Sequence, residues 1–86
     1  MFKTSKEFEA AMYDILMQIR DNPNDRNVLS KLGDINFDDA LAKCIEFNYV
    51  KGLNPRYVAS GNLNIDIIGE IRISYEGLKF LENFKA

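Results

Sequence analysis

Between Asn36 and Gly52 the chain reads NFDDALAKCIEFNYVKG, with apolar residues at Phe37, Leu41, Cys44 and Ile45 and Ala40 beside them. Spacings of four, three and one stack these side chains on one face of an α-helix, which predicts a core-facing helix. Asn36 is expected to cap its start, and Asp38 and Asp39 place negative charge in the first turn, where the helix dipole favours it. Asn48 follows Phe47 where a left-handed terminating residue is wanted, so the helix is expected to stop at Phe47 or Asn48. Tyr49-Val50 then has strand character. The opposite face carries Asp39, Ala42, Lys43 and Glu46 and is mildly acidic.

The segments on either side follow the same logic. Thr4 and Glu7 have the spacing of a capping box, and Phe8, Met12, Ile15, Leu16 and Ile19 recur at helical spacing, predicting a helix from about Ser5 to Arg20. Asp21-Asn22-Pro23-Asn24 is a turn signal. Asn24 or Asp25 then caps a short second helix with Val28, Leu29 and Leu32 on one face and Gly33 as its stop. Beyond the third helix, Tyr49 to Leu53 reads as strand, Asn54-Pro55 as a breaker, Tyr57 to Ala59 as a short strand and Ser60-Gly61-Asn62 as a turn. Leu63, Ile65 and Ile67 alternate with Asn64 and Asp66 as in a half-buried strand, and Gly69 interrupts the alternation before Ile71 and Ile73. The pattern fits one bulged strand or two. Ser74 caps a last helix, in which Tyr75, Leu78, Leu81 and Phe84 are expected to face inward.

Composition narrows the functional classes. The chain has 86 residues, room for one small α+β domain spanning residues 1–86. With 47% hydrophobic and 28% charged residues it reads as a soluble globular protein. No apolar run approaches the roughly 20 residues of a membrane span. The start MFKTSKEFEA lacks the apolar segment of a signal peptide, so a cytoplasmic protein is expected. Net charge is -2 and the isoelectric point about 5.0, which leaves no global attraction to polyanions. The lone Cys44 lies on the core face of the third helix and reads as a packing residue. Histidine is absent from the chain, which excludes Ser-His and Cys-His nucleophile pairs, His-ligated zinc and imidazole acid-base chemistry. Glu70 and Glu76 flank the last helix's start and read as a solvated, dipole-complementing edge. No enzyme activity, metal or cofactor is expected.

Three helices, a hairpin and a closing helix is the order of a winged helix. FDDALAKCIEFNYVKGL resembles the third helix of such a domain running into the wing's first strand. ISYEGLKFLENF resembles the closing element of many winged helices, with Ile73, Ser74, Gly77, Phe80 and Leu81 in matching places. Together they resemble the YjcQ family, small bacterial and phage proteins of winged-helix type. The resemblance departs at Asn48, where relatives tend to have Gly, and at the long connection from Asn54 to Ile71. It implies a helix-turn-helix core and a regulatory protein associated with double-stranded DNA, the third helix in the major groove and the wing on phosphates. The residues expected to make those contacts are Lys43 on the helix and Lys51, Arg56 and Asn62 on the wing; no acidic residue occurs from Phe47 to Ile65. The alternative is a protein-interaction module, a homodimer or a complex with another protein, because an acidic helix-turn-helix repels DNA. For that reading Phe2, Phe47 and Phe84, each at the end or edge of an element, are the residues to watch, and a contiguous exposed patch of them would support an interface.

Overall fold

The computed structural model describes residues 2–57 and 63–84. Its elements run α1 (Ser5–Asp21), a 3₁₀ helix (Arg26–Lys31), α2 (Ile35–Glu46), β1 (Val50–Tyr57), β2 (Leu63–Ile73) and α3 (Tyr75–Asn83). The architecture is thus α+β: three helical elements, an antiparallel two-stranded ribbon and a closing helix.

The expected first helix forms, with the Glu7 amide donating to Thr4 Oγ1 at 3.1 Å. The Glu7 carboxylate accepts from the Lys3 amide at 2.9 Å, one residue before the Thr4 amide that a reciprocal capping box uses. Met12, Ile15, Leu16 and Ile19 are buried along its stripe. They meet Ala40, Leu41 and Cys44 of α2, together with Val28, Val50, Leu53, Ile71 and Leu81, in one core.

Local chemistry corrects four expectations. α2 begins one residue before Asn36, because Asp34 is its cap and accepts from the amides of Asn36 at 2.9 Å and Phe37 at 3.3 Å. A carboxylate competes well with an amide oxygen for that position. The second helix is 3₁₀, capped by Asp25 and too short to gain the cooperativity of an α-helix. Asn54-Pro55 does not break β1, which runs through it; each strand of a two-stranded ribbon has a free flank where an N–H is not missed. Tyr75 and Leu78 face solvent, at 70% and 38% exposure. The inward seam of α3 is Gly77 and Leu81, with Phe80 and Phe84 half-buried beside it, since Gly77 brings the helix backbone against Tyr49.

The α2 terminus follows its sequence signal. Asn48 is left-handed at φ 62°, the Asn48 amide donates to the Ile45 carbonyl at 3.0 Å and the Tyr49 amide to the Cys44 carbonyl at 2.8 Å. That double closure is a Schellman motif, and it turns the chain directly into β1. Ser74, the residue after β2 and the cap of α3, answers from the other side: its amide donates to the Tyr49 carbonyl, its hydroxyl donates to the Asn48 carbonyl and accepts from the Gly77 amide.

The ribbon is one bulged pair. Val50 and Lys51 stand opposite Ile73 and Arg72, whereas Leu53 stands opposite Ile67, so Gly52 alone faces the stretch from Ile68 to Ile71. Gly52 has φ +90°, and a Cβ there would collide with the Glu70 carbonyl. The outer flank of β2 is held by Asn24, left-handed at φ 60°, whose amide donates to the Ile71 carbonyl at 2.7 Å and whose Oδ1 accepts from the Ile71 amide at 3.4 Å. A single residue of the turn after α1 therefore stands in for a third strand.

Candidate nucleic-acid interface

α2 presents little to a polyanion. Asp34, Asp38, Asp39 and Glu46 accompany its one cation, Lys43. The Lys43 ammonium is 2.8 Å from Glu46 Oε2 and 5.4 Å from the centroid of the Phe47 ring, so it is engaged by its own helix. Lys43 also lines a groove of about 460 Å³ with Phe2, Phe8, Met12 and Phe47.

The ribbon is better endowed. Lys51 and Arg56 are exposed on the face turned away from the buried Val50 and Leu53. The register sets Arg72, also exposed, directly opposite Lys51, and Asn64 opposite Arg56. Arg72 is the member of this group that sequence reasoning missed. Its signal was its place between Ile71 and Ile73, which in a period-two strand sends it outward. Arg56 Nη2 lies 3.5 Å from Asp66 Oδ1 and Arg72 Nε lies 3.7 Å from Glu70 Oε2, exposed contacts of small net strength. Lys51 has no ion-pair partner among the described residues. Across the described ribbon three cations (Lys51, Arg56, Arg72) stand against two anions (Asp66, Glu70), a local excess of positive charge on an acidic chain. Asn62 lies outside the described residues.

Structure thus brings Lys51 and Arg56 onto one surface and leaves Lys43 on another. Of the three phenylalanines, Phe2 and Phe47 line the same groove, whereas Phe84 lies apart from it. Phe47 is 49% exposed, while Phe2 rests on Phe8 at 4.7 Å between centroids and Phe84 on Tyr13 at 4.9 Å.

Titratable groups with shifted protonation are structural. Burial pushes the Cys44 thiol up to about 12, which keeps it protonated and poorly nucleophilic. Tyr49 is raised by burial, then by the neighbouring Cys44 and the carboxylates of Glu76 and Glu9. Among the described residues no three His, Cys, Asp or Glu side chains converge as metal ligands, and no helix is long and apolar enough to cross a membrane. No protein-family model, curated protein or solved structure matches the chain.

Proposed function

We propose that the chain is a winged-helix domain of YjcQ-like type, a cytoplasmic, non-enzymatic regulatory protein that touches double-stranded DNA through the outer face of its ribbon. The observation that carries this reading is the placement of Lys51 opposite Arg72. Like charges directly opposed in an antiparallel pair are destabilising, and an anion set between them removes the cost. Arg56 lies on the same face, beside the Asp66 carboxylate that it meets at 3.5 Å, and Asn54 and Asn64 add neutral donors. The acidic face of α2 argues against insertion of that helix into the major groove, so the contact is with phosphates and is weakly selective for sequence.

Titration of labelled mixed-sequence duplex at two salt concentrations tests this. Three phosphate contacts predict a log-log salt slope of roughly -2.7, about a 40-fold loss of affinity between 50 and 200 mM salt. The triple variant Lys51→Glu, Arg56→Glu, Arg72→Glu is expected to lose binding, and Lys43→Gln to retain it. Equal binding by the triple variant refutes the surface. A second reading, a protein-interaction module that binds a partner or a second copy, is favoured by the exposure of Phe47 beside the apolar groove. Absence of duplex binding at low salt selects it.

A further inference from the structure

On a face that shares no residue with the ribbon track, a second cavity of about 310 Å³ lies between the first half of α1 and α3. Its walls are aromatic. Tyr49, Phe80 and Phe84 line it, with ring centroids 5.2 Å apart from Tyr49 to Phe80 and 5.7 Å from Phe80 to Phe84. Its rim carries two carboxylates from different helices, Glu9 on α1 and Glu76 on α3, and neither forms an ion pair among the described residues. Burial raises the Tyr49 hydroxyl, and Cys44 and then the Glu76 and Glu9 carboxylates add to it. Lys79, the one cation among the lining residues, has its ammonium over the Tyr75 ring, 5.8 Å from the centroid. Tyr75 is not part of the lining.

We infer that this cavity is a binding site for a cationic side chain, a guanidinium or ammonium, presented by a basic segment of a partner protein. Aromatic rings attract an organic cation through their negative faces. Two carboxylates from different helices, neither in an ion pair among the described residues, supply the complementary charge, and the cavity has room for an arginine or lysine head group but is far too small for a folded element. A neutral ligand of the same shape uses the rings alone. An anion is repelled.

The test is an NMR titration of the 86-residue protein with two probes, a Gly-Arg-Gly-Arg-Gly peptide and its citrulline counterpart. The arginine peptide is expected to shift the amides of Glu9, Tyr49 and Phe80 and to bind less well as salt rises, whereas the citrulline peptide leaves those amides in place. Each of Glu9→Gln and Glu76→Gln is expected to weaken arginine-peptide binding about threefold, and the pair about tenfold. Lys79→Glu is expected to strengthen it, and this gain cannot arise from damage to the fold. Equal binding of the two peptides, unchanged affinity in the paired variant, weaker binding by Lys79→Glu, or shifts confined to the ribbon each overturns the inference.

Discussion

Replacing Gly77 by alanine sets two well-characterised effects against each other. In a helix interior the exchange gains about 1 kcal/mol from backbone entropy. At position 77 the added Cβ presses on the Tyr49 carbonyl oxygen and falls 2.6 Å from Ile73 Cγ1 and 3.2 Å from its Cδ1. Carbon atoms normally sit about 3.5–4.0 Å apart. Ile73 has some rotameric freedom, but the Tyr49 carbonyl is held at the root of the ribbon by the Ser74 amide at 2.9 Å. α3 must therefore lift, drawing Leu81 away from the core. Overpacking of this kind costs about 1–3 kcal/mol and more where backbone is the obstacle, so a net loss of about 2 kcal/mol is expected. For a domain of this size that lowers the melting temperature by roughly 10 °C. Thermal melts and urea titrations of the wild type, Gly77→Ala and the half-exposed neighbour Leu78→Ala separate the terms, with Leu78→Ala costing less than Gly77→Ala. A Gly77→Ala protein as stable as the wild type, or more so, refutes the packing argument and leaves helix propensity as the governing effect.

Other outcomes follow from single contacts. Asn24→Gly keeps the left-handed backbone and loses the oxygen that accepts from the buried Ile71 amide, a cost of about 1 kcal/mol. Asn24→Ala adds the left-handed penalty of about 1–2 kcal/mol, so urea midpoints should fall in the order wild type, Gly, Ala, and equal midpoints for the two variants contradict the assignment. The raised Cys44 thiol makes stability pH-dependent. Its contribution is complete below the ordinary thiol value of 9.0 and is lost as pH rises toward about 12, at about 1.4 kcal/mol per pH unit, because the unfolded chain releases the proton first. Cys44→Ala removes that component of the alkaline slope, which denaturant titrations at pH 8 and pH 10 measure. Gly52→Ala puts a side chain at φ +90° against the Glu70 backbone, and its loss should exceed that of Gly77→Ala.

Helices with caps and apolar stripes were legible because their signals are local: Thr4, Ser74 and Asn48 act where the spacing places them. What escaped depends on neighbours distant in sequence. Asn54-Pro55 reads as a breaker until β1 is seen to pair on one side only. Tyr75 and Leu78 have helical spacing that suits burial, but the face of α3 that docks is chosen by Gly77 meeting Tyr49, a contact across 28 positions of chain. Asn24 gave a correct turn signal and no hint of its bond to Ile71. The cationic track was half visible: Lys51 and Arg56 stand out in a stretch free of acids, whereas Arg72 joins them through the register alone.

The register slip at Gly52 divides the ribbon into a root and a tip. The root, Val50 and Lys51 against Arg72 and Ile73, is fastened to the helices through Tyr49, Ser74 and Asn24. The tip, Leu53 to Tyr57 against Leu63 to Ile67, keeps its own alignment beyond the bulge. Leu53 belongs to the core and Ile65 packs against it, so length changes made outward of Pro55 and Ile65 leave the core contacts in place, and residue pairs removed there shorten the reach of the tip without re-registering the root. Reach and anchorage are separately adjustable in this architecture, which makes the part of the tip outward of Pro55 and Ile65 the segment to exchange when a different contact surface is to be grafted onto the same body.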